Sequence, residues 1–347
     1  MENINTLYRE RAEHVAPYLQ LDLKHATQRM EWLFALFSTN LHNLLPDLPR
    51  KEYVPTFRRL QANLALTFMD IEHAACPGFM QARGWDDAWA TTLRERPGIV
   101  CTYHTGAYRY LNHLLVAAGV QLSIVVAGRA IPAEQRLLDR ASADIDLIDA
   151  EQPHALFSMA KAAKQGRSLL VYIDGNTGTN GNAADADRHN LLTVPFCGWQ
   201  VKVRQGVAAL AYRLQLPLYP VICEREVRWG MRLNHLLTYW HFNPICPLPD
   251  ESQAAFAARA TARLYGLLEQ FVVRNPDQWE GWLGLQHDLV LPAPAELDEE
   301  EHPMRWAPYR RGNQAFLLHR PTYASYRITW KEFYRLYPWY NMDFLDV

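Results

Sequence analysis

The chain has 347 residues, of which 49% are hydrophobic, and its 35 basic and 37 acidic side chains give a formal net charge of −2. A chain of this length and composition can bury a large core and can form one large or two modest domains. Because there is no excess of positive charge to hold a polyanion, nucleic acid is excluded as an expected partner.

The five cysteines include no CxxC pair, which is typical of free thiols in a reducing compartment. Residues 1–20 lack the apolar core of a signal peptide. No window reaches the ~18 uninterrupted apolar residues that indicate a transmembrane helix. No cluster of His or Cys has the spacing of metal ligands, so we expect no metal site. These features predict a cytoplasmic protein that is soluble or peripheral to the inner membrane.

The N-terminal part of the chain, residues 1–96, is predicted to be a helical subdomain. Two segments in it repeat apolar residues at helical spacing, and Pro46 and Pro49 separate them. The repeated positions are Met30, Leu33, Phe34, Phe37, Leu41 and Leu44, and then Phe57, Leu60, Leu64 and Phe68. These helices either pack on the rest of the protein or, because residues 32–37 are strongly apolar, contact a membrane surface or an acyl chain.

Residues 97–290 alternate between short apolar runs and amphipathic segments, which predicts βαβ units. The segments 168–173 and 217–222 are apolar throughout, as strands covered on both faces are. We therefore predict an α/β fold with an open, mainly parallel sheet and helices on both sides. The predicted strands are 99–103, 121–127, 145–148, 168–173 and 217–223, and the predicted helices are 107–118, 132–142, 152–165 and 203–214.

The region after these units is predicted to hold a hairpin, a long helix and an aromatic extension. Residues 224–232 and 236–242 form the hairpin, and residues 251–274 form the helix. The extension, residues 291–347, opens with a proline-rich acidic linker. Within it, residues 316–337 predict a hairpin and a helix, which either strap the core or dock a peptide or carrier protein by strand addition.

His104 lies where a predicted strand gives way to a helix, in the segment HTGAYR over residues 104–109. A strand that ends there holds the imidazole at the carboxyl edge of the sheet, where open α/β folds build their sites. With an unperturbed pKa of about 6.5, the imidazole is a candidate general base. The alternative is a structural histidine that caps the helix.

Two further polar segments follow predicted strands. The loop after residues 168–173 has backbone N–H groups and small hydroxyls that suit an oxyanion or a phosphate, although its residue types are also ordinary turn formers. Its residues of interest are Asp174, Gly175, Asn176 and Thr177. Lys202 and Arg204 flank the start of a predicted helix, where they either bind an anionic group or are simply solvated.

Taken in order, these segments resemble sequence blocks of the bacterial lipid A (lauroyl/myristoyl) acyltransferase family, within the lysophospholipid acyltransferase superfamily. Residues 104–109 are similar to its His-x-Gly-Asn-Trp-Glu block, and residues 174–177 to its Asp-Gln-Asp-like or Pro-Glu-Gly-Thr-like loop. The further similar segments are 194–198 (VPFCG), Gly206 with 207–211 (VAALA), 219–221 (YPV) and 276–282 (PDQWEGW). The resemblance extends from about residue 97 to residue 289.

This resemblance implies an acyltransferase that moves an acyl group from a thioester donor to a hydroxyl or amine, in lipid or specialised-metabolite biosynthesis. The implied donor is an acyl carrier protein or acyl-CoA, whose phosphopantetheine carries the acyl group, and no other cofactor is expected. The implied acceptor is a small molecule, a lipid or a peptide. By the same resemblance, His104 is the general base.

One position departs from the family pattern. The family's His-x4-Asp/Glu motif pairs the histidine with a carboxylate, and this chain has Arg109 in the acidic position. A guanidinium has no acceptor and stays protonated, so it cannot orient His104 or balance its charge.

Three explanations stay open. In the first, Asp174 orients His104 instead. In the second, the acceptor is an amine, and Arg109 binds a carboxylate or phosphate of the substrate. In the third, the protein has lost acyl transfer and is a non-catalytic scaffold that binds an acyl chain or a carrier.

Overall fold

The structure, a computed structural model, describes residues 4–74, 76, 78–141, 145–175, 191–226, 235–291 and 303–336. Two residues of the predicted polar loop, Asn176 and Thr177, lie outside these ranges. None of the described helices combines the length and the apolar character needed to cross a lipid bilayer.

Most of residues 4–95 are helical, in agreement with the sequence prediction. The α-helices are α1 (Ile4–Leu19), α2 (Gln28–Leu44), α3 (Tyr53–Ala74), α4 (Asp87–Glu95), α5 (Tyr108–Ala117), α6 (Ile131–Ala141), α7 (Ala155–Lys164), α8 (Gly206–Leu214) and α9 (Gln253–Arg274). Residues 330–336 are also helical, as predicted for the segment after the C-terminal hairpin. Helix α2 begins after Thr27, because the Thr27 hydroxyl accepts a hydrogen bond from the backbone N–H of Met30 at 3.3 Å.

The described strands form one large sheet and two small ones. They are β1 (Gln81–Arg83), β2 (Ile99–Thr102), β3 (Leu122–Val126), β4 (Ile145–Asp149), β5 (Ser168–Tyr172), β6 (Leu191–Phe196), β7 (Trp199–Arg204), β8 (Leu218–Arg225), β9 (Leu236–His241), β10 (Trp306–Arg311), β11 (Gln314–His319) and β12 (Ser325–Ile328). The large sheet has the order β1-β9-β8-β2-β5-β3-β4, and its neighbouring strands are parallel except for β8 with β9. The predicted α/β fold with a mainly parallel sheet is confirmed.

Helices cover both faces of this sheet, because neighbouring residues of a strand point to opposite sides. On β2, Val100 is buried in an apolar cluster that includes Leu111 of α5. Ile99 is buried in a different cluster, with Ala208 of α8 and Phe256 of α9. The sheet is therefore a buried layer between two layers of helices.

Another apolar cluster joins the N-terminal helices to the hairpin of β6 and β7. Phe34 and Phe37 of α2 and Phe57 of α3 are buried in it together with Phe196 of β6 and Trp279. The strongly apolar part of α2 thus packs within the protein. The domain boundaries at residues 96 and 290 stay a prediction, and apolar packing continues across the first of them.

The C-terminal extension packs on α2 through an antiparallel sheet of β10, β11 and β12. The rings of Trp32 and Tyr309 lie 4.5 Å apart, and Leu36 is buried in the same cluster as Leu318. The extension therefore straps the core. The sequence predicted the hairpin of β11 and β12 but not β10, and it also did not predict β1 or the hairpin of β6 and β7.

Candidate active site

The parallel pairing of β2 and β5 brings two loop residues together. Thr102 and Tyr172, the last residues of these strands, are partners in the ladder. His104 and Asp174 each lie two residues beyond them, so both lie at the carboxyl edge of the sheet.

Asp174 accepts three hydrogen bonds in a buried position. Its Oδ1 accepts from Nδ1 of His104 at 2.9 Å, and its Oδ2 accepts from the backbone N–H of His104 at 3.0 Å. The indole Nε1 of Trp279 also donates to Oδ2, at 2.8 Å. The Asp174 side chain is only 2% exposed. With all these donors pointing at it, the carboxylate is held in one orientation.

The contacts of His104 fix both its tautomer and the plane of its ring. Because Nδ1 donates to Asp174, the lone pair of the neutral imidazole lies on Nε2. The ring stacks on Tyr172 with centroids 4.6 Å apart and meets Tyr108 edge-on at 4.8 Å. No hydrogen bond to a described residue occupies Nε2, and 27% of the side chain is exposed. The imidazole is therefore placed to take a proton from a group that approaches Nε2.

The surrounding charges favour a protonated histidine beside an ionised aspartate. Burial alone would lower the pKa of His104, but the carboxylate of Asp174, with a smaller contribution from Glu280, raises this pKa above its ordinary value of 6.5. Burial also disfavours the ionised form of Asp174, but His104 and the hydrogen bond from Trp279 hold the Asp174 pKa below its ordinary value of 3.8. The pair thus increases the proton affinity of the imidazole, as a general base requires.

The turn after β2 is held by the Trp-rich segment that follows α9. Gly106 has a φ of +54°, and a Cβ there would lie 2.8 Å from the carbonyl oxygen of Cys223, so this turn requires glycine. The N–H of Gly106 donates to the carbonyl oxygen of Gln278 at 3.1 Å. The N–H of Glu280 donates to the carbonyl oxygen of His104, also at 3.1 Å. These bonds fix the backbone on both sides of the imidazole.

Arg109, in the position where the family pattern has a carboxylate, is directed towards α6. Its Nε donates to Glu134 at 2.9 Å, and the two side chains are 17% and 10% exposed. Its guanidinium also lies over the rings of Phe68 and Tyr108, at 4.9 and 4.7 Å from their centroids. Arg109 is therefore engaged by protein groups, and its predicted role in holding an anionic part of a substrate stays a prediction.

Gly175 closes the turn that carries Asp174. Its N–H donates to the carbonyl oxygen of Tyr172 at 3.2 Å, so this N–H is already used within the protein. A Cβ on Gly175 would lie 3.8 Å from Cε1 of His104, which shows how closely the loop approaches the ring. The role of Gly175 in binding an oxyanion stays a prediction, and the same holds for Asn176 and Thr177.

Lys202 and Arg204 lie on exposed positions of β7. Helix α8 begins at Gly206, so the prediction that the helix starts at residue 203 is wrong: Arg204 is the last residue of a strand. No hydrogen bond or ion pair within the described part of the chain joins either cation to His104 or Asp174. Their predicted part in binding an anionic group stays a prediction.

The sequence indicates no individual role for Trp279 or Glu280, yet both contact the hydrogen-bonded pair of His104 and Asp174, which we call the dyad. Trp279 bonds the carboxylate of Asp174, and Glu280 bonds the backbone of His104. The only signal for them was the similarity of residues 276–282 to a family block, which does not indicate what each side chain does.

Comparisons with known proteins give little further information. No family model matches the chain, and no curated protein matches it in sequence. Among solved structures, it is similar to the crystal structure of the 1-acyl-sn-glycerophosphate (LPA) acyltransferase PlsC from Thermotoga maritima. The TM-score is 0.35 and the sequence identity 12%, over 70% of this chain and 95% of that chain. A similarity at this level does not indicate a function.

Proposed function

We propose that this protein is an acyltransferase that moves an acyl group from a thioester donor to a hydroxyl or amine acceptor. The observation that carries the proposal is the hydrogen bond of 2.9 Å between Nδ1 of His104 and the buried Asp174, which leaves Nε2 as the acceptor atom. A non-catalytic scaffold would have no need for a buried carboxylate that orients a partly exposed imidazole. The pairing therefore supports a catalytic role for the protein. It also supports the first of the three explanations for Arg109, in which Asp174 orients His104.

In the proposed mechanism, Nε2 of His104 takes the proton of the acceptor as its oxygen or nitrogen attacks the thioester carbon. The Asp174 carboxylate keeps Nδ1 protonated and stabilises the imidazolium that forms. When the tetrahedral intermediate collapses, the C–S bond breaks and the imidazolium returns the proton to the leaving thiolate. The products are an ester or amide and a free thiol.

The donor in this proposal is acyl-CoA or an acyl carrier protein, since both carry their acyl group on the thiol of a phosphopantetheine. The acceptor is a small molecule, a lipid or a peptide in lipid or specialised-metabolite biosynthesis. We propose that the activity is cytoplasmic or at the inner face of the membrane.

The test is acceptor-dependent release of thiol from octanoyl-CoA or an octanoyl carrier protein, followed with a thiol reagent. We expect His104→Ala to lower the rate by about 10²–10⁴-fold, the usual contribution of a general base. The matched control is His25→Ala, because the His25 side chain is 85% exposed and lies outside the site, and it should keep the wild-type rate. A His104→Ala variant that folds and retains full turnover would contradict the proposed function.

A further inference from the structure

A second carboxylate, that of Glu280, lies beside His104 and is not used by the proposed mechanism. Its Oε2 accepts a hydrogen bond of 3.4 Å from the hydroxyl of Tyr108, whose ring meets the His104 ring edge-on. The Glu280 side chain is partly exposed. Burial raises the pKa of Tyr108, and the Glu280 carboxylate raises it further, so the Tyr108 hydroxyl is protonated and donates.

No cation of the described residues forms an ion pair with Glu280. The nearby guanidinium of Arg109, which is paired with Glu134 at 2.9 Å, lowers the pKa of His104, but its effect is smaller than that of Glu280, which raises this pKa. The charges around the neutral form of His104 are therefore mainly negative, because the carboxylates of Asp174 and Glu280 outweigh this one cation. A long hydrogen bond from a neutral phenol leaves most of the acceptor capacity of Glu280 available.

We infer that the acceptor is a primary amine, and that Glu280 binds it as an ammonium ion next to Nε2 of His104. This inference rests on the proposed function and adds the class of the acceptor to it. An ammonium group has three N–H donors, which match the open lone pairs of a carboxylate. Two carboxylates at the site disfavour an acceptor that carries a carboxylate or phosphate close to its nucleophile.

The amine reaction balances without any further reactant. His104 takes one proton from the ammonium, and the freed nitrogen lone pair forms the C–N bond with the thioester carbon. The C–S bond breaks with its electron pair on sulfur, and the imidazolium returns its proton to that thiolate. A second ammonium proton passes to water, so the products are an amide, a thiol and one proton.

The experiment compares 1-hexylamine with 1-hexanol, two probes of equal chain length, as acceptors for octanoyl-CoA in wild type and in Glu280→Gln. After subtraction of the uncatalysed reaction, we expect wild type to prefer the amine. In Glu280→Gln, kcat/KM for the amine should fall by about tenfold, mainly through KM, because a charge-assisted bond becomes a neutral one. The value for the alcohol should fall much less, because an alcohol loses only the small contribution of Glu280 to the proton affinity of His104. The matched control is Glu13→Gln, since the Glu13 side chain is 71% exposed and lies on α1.

A binding measurement makes the inference testable without turnover. Titration of the His104 ring by NMR should show that hexylammonium lowers the His104 pKa in wild type, as a neighbouring cation does, and that this effect is lost in Glu280→Gln. Hexanol should leave the pKa unchanged. Equal use of the two acceptors, equal losses for both in Glu280→Gln, or no effect of hexylammonium on the ring would each overturn the inference. If His104→Ala still abolishes transfer in that case, the proposed function stands and only the amine assignment fails.

Discussion

The substitution Asp174→Asn tests the dyad most directly, because it changes the partner of His104 while nearly conserving the volume of the side chain. The carboxylate accepts from Nδ1 and the backbone N–H of His104, at 2.9 and 3.0 Å, and from Trp279 at 2.8 Å. An amide presents one oxygen and one NH₂ group to the same donors. At least one N–H therefore faces another donor, or the imidazole turns to the other tautomer.

The expected magnitudes follow from this mismatch. One charge-assisted hydrogen bond to a buried group is lost, which costs about 1.5–3 kcal/mol of folding stability. The loss of activity is larger, because a neutral amide neither holds the productive tautomer nor stabilises the imidazolium. By analogy with neutral replacements of a triad aspartate, the rate should fall by about 10²–10⁴-fold, or about 3–5 kcal/mol in the barrier.

The assay is acceptor-dependent thiol release over a range of pH, with thermal unfolding as the check on folding. Without the carboxylate, burial dominates and lowers the pKa of His104, so the acid limb of the rate profile should move to lower pH as the plateau falls. The double variant with His104→Ala should be no slower than His104→Ala alone, because Asp174 acts through His104. A folded Asp174→Asn enzyme with more than about a tenth of the wild-type rate would refute the dyad.

Three further predictions concern the same site. The rate of the wild-type enzyme should fall as the pH falls through the raised pKa of His104, so a rate profile whose acid limb lies below pH 6.5 would contradict the assigned base. The difference in the free energy of unfolding between wild type and Asp174→Asn should be largest between pH 3.8 and pH 6.5, the ordinary pKa values of the pair. It should shrink as the pH rises through the raised pKa of His104, because the imidazole then loses its charge. Calorimetry at several pH values measures this difference. Trp279→Phe keeps an aromatic ring but removes the indole N–H that donates to Asp174 at 2.8 Å. We expect about a tenfold loss of kcat, and a loss of about 1–3 kcal/mol in the free energy of unfolding measured with urea. Unchanged kcat would show that the indole N–H does not position the carboxylate.

The central sheet could be predicted from the sequence because its strands are short, continuous apolar runs between amphipathic helices. Two of the strands that were missed, β6 and β10, contain Pro195 and Pro308. A proline usually argues against a strand, but each of these strands is at the edge of a small sheet, where a missing backbone donor is tolerated. Another of the four missed strands, β1, is only three residues long and depends on its pairing with β9, which local sequence does not reveal.

The site could be predicted only in part, since its contacts come from segments that are distant in sequence. Because both loops follow predicted parallel strands, the sequence correctly predicted that His104 and the loop of Asp174 lie at the same edge of the sheet. The partners Trp279 and Glu280 reach them because Gln278 is fixed by two hydrogen bonds with the backbone of Arg225, at 2.7 and 2.8 Å. No spacing rule connects those positions, because the fold alone sets the distance between them.

The carboxylate that pairs with His104 lies on a different element from the one that carries it in the family pattern. In the family pattern that the sequence resembles, the acid lies on the helix after the histidine, and here that position is Arg109, paired with Glu134. The ladder of β2 with β5 instead delivers Asp174 to Nδ1 of His104 from the neighbouring loop. A histidine dyad depends on where the oxygen lies relative to the ring and not on which element carries it. The arginine would then be compatible with catalysis, because its charge is balanced by Glu134 and the orienting acid comes from elsewhere in the chain.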